Sequence, residues 1–158
     1  MADEKQRKLS IICSKGSLDM AYPPLMLATT GAAMGMEVHL YFTFWGINMI
    51  SKKTIDSLKI SPVGNPALPM PNILGMLPGM TSMLTSMMQG KMKKIKMPTI
   101  REMIKTAKDS GVKFHACSPT LNMMGITRDD LIPEVDDIIG AATYLELASD
   151  EDAITLFV

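Results

Sequence analysis

Cys117 closes the apolar run Val112, Lys113, Phe114, His115, Ala116 and is followed by Ser118, Pro119, Thr120, Leu121, Asn122, Met123, Met124 and Gly125. A thiol at the carboxyl end of a parallel strand, just before a helix, lies where open α/β sheets place their ligands and where helix N-terminal amides favour a thiolate. Cys117 is therefore a candidate nucleophile. The other reading is a small apolar side chain at a strand end, since free cysteine is among the most buried residue types. Position alone leaves the two level.

Other chemistry finds little support. His39 and His115 fall inside strands with no metal-ligand spacing, and His115 shares a face with Cys117 but lies about 6 to 7 Å deeper along the strand. Both read as strand histidines, packed or exposed. The stretch Ser14, Lys15, Gly16, Ser17 has one glycine and lacks both the dinucleotide fingerprint and the P-loop spacing. No Ser-His-Asp arrangement or paired carboxylates stand out, and Asp129, Asp130, Asp136 and Asp137 read as helix-start and loop acids.

The elements that must position Cys117 follow from periodicity. Residues 9–13 (Leu, Ser, Ile, Ile, Cys) read as a first strand, then a helix over 19–34 with Asp19 as N-cap and Gly35 as stop. Pro23 and Pro24 fall near the first helical turn, where a missing amide is least costly. Residues 37–42 are a second strand and 43–48 a loop at its carboxyl end. Strand, helix and strand in about 35 residues make a βαβ unit, with a right-handed crossover and a parallel sheet. Ile100, Met103, Ile104 and Ala107 predict a helix over 99–110, closed by Gly111 before the Cys117 strand. A helix over 141–148 and a strand over 153–158 end the chain, and 131–139 is ambiguous between a short helix from a Thr127 cap and a strand near 137–139. The expected fold class is α/β, an open parallel sheet of four or five strands with helices on both faces.

One stretch fits a compact α/β domain poorly. Residues 60–90 carry no charge, five prolines (62, 66, 69, 71 and 78) and methionines at 70, 76, 80, 83, 87 and 88. We read 61–97 as an insertion in a single domain spanning 1–158. The prolines argue against a membrane span, and only 80–88 has the makings of a short helix. Lys91, Lys93, Lys94 and Lys96 then alternate with Met92, Ile95 and Met97, the composition of a segment for a membrane surface or a partner. An oligomer interface or a flap is the plainer reading, because Met-rich surfaces serve adaptable contacts.

Composition bounds the rest. With 158 residues the chain suits one core without disulfides, and sixteen basic against sixteen acidic residues point to no nucleic acid. The charged N-terminus is unlike a signal peptide, so a cytoplasmic location is expected. The two cysteines suit chemistry or packing better than a crosslink.

Residues 9–19, the block 35–48 with Tyr41, Phe42, Thr43, Phe44, Trp45, Gly46, Ile47 and Asn48, the segment 112–126 with Cys117, Met124, Gly125 and Ile126, and Gly140 to Glu146 resemble together the DsrE/DsrF-like family of sulfur-relay proteins. The likeness spans nearly the whole chain and is nearest to a branch with a long Met-rich insertion, found beside sulfur carriers of the TusA type and rhodaneses. It implies a flavodoxin-like fold, homo-oligomers such as trimers or hexamers, and a persulfide carried on Cys117. Such transfer needs a thiolate that takes a donor's terminal sulfur and presents it to an acceptor thiol, with no metal or cofactor. Amides of 118–124 would stabilise the anion, although Pro119 lacks one, and Phe44, Trp45, Asn48, Met123 and Gly125 would rim the site. Trp45 is equally an interface anchor and Asn48 a helix cap. In a flavodoxin-like strand order the first and third strands are neighbours, so Cys13 either meets Cys117 as a resolving thiol or faces the core on the other side of the pleat. Against the carrier stands an adaptor that docks a partner or membrane surface through the insertion, with Cys117 merely buried.

Overall fold

The computed structural model describes residues 6–61, 78–149 and 151–158. The proline-rich part of the expected insertion, 62–77, lies outside them. Strand β1 (Lys8–Cys13) leads through helix α1 (Leu18–Ala33) to strand β2 (Glu37–Phe42), and the strands pair in parallel from Lys8 with Glu37 to Cys13 with Phe42. A 3-10 helix, Phe44–Met49, occupies the expected loop. After α2 (Met80–Lys94), α3 (Ile100–Asp109) and β3 (Lys113–Cys117), the third strand joins the free side of β2. Helix α4 (Ser118–Met124) follows, then β4 (Asp137–Ile139) beyond β3, and α5 (Ala141–Ala148) carries the chain back to β5 (Ile154–Phe157) beside β1.

The sheet has five parallel strands in the order β4-β3-β2-β1-β5. The expected neighbourhood of the first and third strands is therefore corrected, because β2 lies between them. Successive crossovers lay each strand beside its predecessor, and only the α5 crossover returns over the sheet. The crevice at that reversal, between β1 and β5, is bridged by the Ser14 N–H and hydroxyl, which donate to the Val158 carbonyl at 2.7 and 2.9 Å.

Alternation along the strands sorts their side chains onto two faces with unequal cover. Leu9, Ile11, Cys13, Val38, Leu40, Phe42, Phe114 and Ala116 form the main core with α1 and α3, and Phe42 meets Phe114 edge-on at 5.6 Å. On the other face, among the described residues, Tyr41 and Cys117 cluster with Tyr144 and Ala148 of α5 and are flanked by Ile12 and Ile139. Lys8 ties α5 down by donating to the Leu147 carbonyl at 2.8 Å.

Local signals explain most boundaries. Ser17, not Asp19, is the N-cap of α1, and Asp19 instead accepts the Ser61 N–H at 3.2 Å. Pro23 and Pro24 consequently fall past the first turn, and the helix continues through them with Asp19, whose carbonyl loses a partner, exposed to solvent. Gly35 and Gly111 end their helices at φ 80° and 87°, a left-handed conformation that costs glycine nothing. Thr99 and Glu102 form a capping box on α3, whose Ile100, Met103, Ile104 and Ala107 are all buried as the period requires. Helix α2 runs further than the expected 80–88. Its Met80, Leu84, Met88 and Met92 recur every fourth residue and pack on the core, and Lys91, Lys93 and Lys94 suit its C-terminal dipole.

Candidate functional site

Cys117 is both the last residue of β3 and the N-cap of α4, so strand passes directly into helix. Ser118 and Pro119 open the first turn, where proline's preset φ suits a helix start, and Gly125 closes α4 in the left-handed region at φ 63°. The sulfur thus sits at the carboxyl edge of the sheet facing the first turn of a helix. Pro119 has no amide to offer, and the Thr120 amide is among the groups that favour the thiolate.

The side chains around the thiol come from the ends of two strands and one helix. Thr43 follows the last residue of β2, and its Oγ1 lies 3.1 Å from Thr120 Oγ1. The Phe44 N–H donates to Thr120 Oγ1 at 3.2 Å, and either of the two threonine hydroxyls can donate to the other. Tyr41 reaches the thiol diagonally from β2, stacks on Tyr144 at 4.3 Å, and has a buried hydroxyl with no conventional partner. Burial opposes ionisation of Cys117, yet the hydroxyls of Thr120, Thr43 and Tyr41 and the Thr120 amide outweigh it and hold the thiol below its ordinary value. Burial pushes Tyr41 upward, with the thiol adding to the effect, so the phenol stays a neutral donor.

Of the expected rim, Phe44, Trp45 and Met123 are 55, 64 and 63 % exposed along the same edge. Asn48 lies inside the 3-10 helix and caps nothing; its carbonyl accepts from Thr54 Oγ1 at 2.7 Å. That helix presses on neighbouring backbone: a Cβ on Gly46 would stand 2.0 Å from the Cys13 carbonyl oxygen, and one on Gly16 2.0 Å from that of Trp45. Gly125 terminates α4 about 12 Å along the helix from Cys117 and serves as its stop.

Cys13 is elsewhere. It is 1 % exposed in the main core, on the opposite face of the sheet, and burial drives its thiol far above the ordinary range. With β2 interposed, the two cysteine backbones are about 9.6 Å apart, beyond the reach of about 7 Å that a disulfide allows. The resolving role for Cys13 is removed, and the core-facing alternative describes it.

Sequence reasoning missed Thr43, Thr120 and Tyr41, although Thr120 at the third helical position after Cys117 was a readable signal. It also read Asp136 and Asp137 as loop acids. Asp136 instead accepts the Phe114 N–H at 2.8 Å and pairs with Lys108, and Asp137 begins β4 with Oδ1 2.6 Å from His115 Nδ1. Asp130 does act as a helix-start acid, completing a capping box with Thr127.

The family model for DsrE/DsrF/DrsH-like proteins matches residues 5–157. The chain belongs to that family. It is 41 % identical over 156 residues to the sulfur carrier protein DsrE2 of Allochromatium vinosum, covering 94 % of this chain and 96 % of that protein. The uncharacterized protein YrkE of Bacillus subtilis is 29 % identical over 167 residues, covering 98 and 99 % of the two chains. A protein of unknown function from Methanobacterium thermoautotrophicum shares the fold with a TM-score of 0.54 at 14 % identity, over 97 % of this family member and 99 % of that chain.

Proposed function

We propose that this family member moves sulfane sulfur between proteins and holds it as a persulfide on Cys117. The observation that carries the reading is a thiol at a strand end whose ionisation is favoured by three hydroxyls and an amide despite its burial. The 41 % identity to a protein named as a sulfur carrier supports the same chemistry. In the loading step the Cys117 thiolate attacks the terminal sulfur of a donor persulfide, the donor's S–S bond breaks, and the donor leaves as a thiolate. Unloading is the same step with Cys117 as leaving group. The donor set around the sulfur eases departure by stabilising the anion, and the exposed Phe44, Trp45 and Met123 offer an apolar surface to a partner's thiol.

The partners that fit are a carrier of the TusA type or a rhodanese. We read the chain as belonging to the branch with a Met-rich insertion at 61–97, whose α2 turns Met83 and Met87 outward for contact with a partner or a membrane surface. Among the described residues no helix is long and apolar enough to cross a membrane. Exposed Leu145 and Phe157 flank the lightly covered face and support a homo-oligomer, a trimer or hexamer, in a cytoplasmic setting. The adaptor reading requires an inert Cys117, and the hydroxyls gathered on that sulfur favour the carrier.

Intact mass after exposure to polysulfide, thiosulfate or a persulfidated carrier tests the proposal. Native protein gains mass in steps of one sulfur, reversed by a dithiol, and Cys117→Ser does not. An unaltered native mass with every donor would overturn it.

A further inference from the structure

Behind Cys117, on the same face of the sheet, Glu37, His39, His115 and Asp137 form an unbroken chain of side chains. His39 Nε2 lies 2.9 Å from Glu37 Oε1, His39 Nδ1 lies 2.9 Å from His115 Nε2, and His115 Nδ1 lies 2.6 Å from Asp137 Oδ1. The imidazoles stack with centroids 5.2 Å apart, and both residues are buried, at 4 and 3 % exposure. The register sets this up: His39 stands opposite Lys113 and Tyr41 opposite His115, so His39 reaches His115 diagonally as Tyr41 reaches Cys117. The contacts run end to end and converge on no common point, and among the described residues no cluster suited to a metal ion is found.

Counting protons decides what the chain is. Each contact needs one hydrogen, and ionised carboxylates supply none, so three hydrogens must come from the rings. Two neutral imidazoles carry only two between them. One contact would then set lone pair against lone pair at hydrogen-bond distance. Glu37 and Asp137 are about half-exposed.

We propose that His39 and His115 share one excess proton, held between Glu37 and Asp137, and that this buried cation acts as a positioning device that favours the thiolate and persulfide anion of Cys117. The proposal rests on Cys117 being the reacting sulfur. His115 and Cys117 are two residues apart on one strand, about 6 to 7 Å, and the protein between them is shielded from water. The proton comes from solvent and no bond between heavy atoms changes. His39's affinity for a second proton is lowered overall, by burial first and then by a charged His115, while the Glu37 hydrogen bond works against both. Both rings therefore do not become cations together, and a single shared proton fills every contact. The other ionisable groups facing the pair are Lys8 on β1, 3.9 Å from Glu37, Lys113 one step earlier on β3, Tyr41 and Cys117 toward the carboxyl edge, and Tyr144 from α5.

Two measurements test this. Nitrogen-15 spectra of the native protein should show three protonated ring nitrogens between His39 and His115, with one strongly deshielded proton in the contact between them. Spectra of two neutral rings at every pH from about 5 to 8 would overturn the shared proton. In a Cys13→Ala background, the alkylation rate of Cys117 should follow two inflections with pH, one coinciding with loss of the ring proton. His39→Gln and His115→Gln should remove that inflection, shift the thiol's own inflection upward, and slow alkylation near pH 7 by about tenfold. Glu37→Gln, at a half-exposed side chain, should move the ring inflection to lower pH in a protein that folds normally. A profile unchanged in all three variants would overturn the coupling even if the spectra show the proton. If native protein never loads sulfur while spectra and profile behave as stated, the sulfur reading fails and the proton pair stands.

Discussion

Cys13 and Cys117 end strands of one sheet at the same edge, with a single strand between them, and differ in nearly everything to which a thiol responds. Both are buried, at 1 and 7 % exposure, so burial does not separate them. Pleat parity does. Cys13 falls on the face packed by α1 and α3, where its thiol lies 4.0 Å from the Ile11 carbonyl; Cys117 falls on the face covered by α5, where nearby hydroxyls hold its thiol below the ordinary value. A difference of one residue in register would exchange their roles.

The contrast can be broken first at the level of packing. Phe114→Ala empties a fully buried site on the main core and should lower unfolding stability by about 3–5 kcal/mol, whereas Ile139→Ala on the other face should cost roughly 1 kcal/mol, both read by urea denaturation. Equal losses would mean that the two faces are equivalent. Next comes reactivity: at neutral pH iodoacetamide should modify Cys117 faster than Cys13 by on the order of a hundredfold, with the difference vanishing in denaturant. Comparable native rates would erase the distinction. Thr120→Val sharpens it further, since loss of the leading hydroxyl donor should slow Cys117 alkylation by roughly threefold to tenfold, and Thr43→Val by less. The smallest effect is on stability at alkaline pH. Cys117, depressed in the fold, adds stability as pH rises from its folded value to the ordinary 9.0, whereas Cys13, raised in the fold, subtracts stability above 9.0 because only the unfolded chain loses that proton. Denaturation midpoints of native protein and Cys13→Ala should therefore diverge above about pH 9, and parallel curves would contradict the assignment.

Much of this was legible in the chain. The bounds of β1, β2, α3 and β3 lie within a residue or so of those expected, because their periodicities are unbroken and Gly35 and Gly111 stop the helices. The placement of Cys117 at a strand end followed from the same signals. Strand order did not, because nothing local to β3 encodes whether it joins β1 or β2, and with it went the pairing of Cys13 with Cys117. The extent of α2 was hidden because methionine and lysine continue a helix as readily as they leave one. Thr43 and Thr120 carry no signature beyond a hydroxyl, and the diagonal contact of His39 with His115 depends on the β2–β3 register, which sequence does not state.

Phe44 departs from its surroundings in one respect: its backbone holds φ 46°, a left-handed conformation that an L-residue adopts at a cost of about 1–2 kcal/mol. The turn delivers the Phe44 N–H to Thr120 Oγ1, and glycine would make that turn without strain. A chain optimised for thermal endurance alone would place glycine there. The ring is more than half exposed and gives the fold little packing in return, so its worth lies with whatever approaches the sulfur from outside. Phe44 thus marks a spot where durability and encounter are traded against each other.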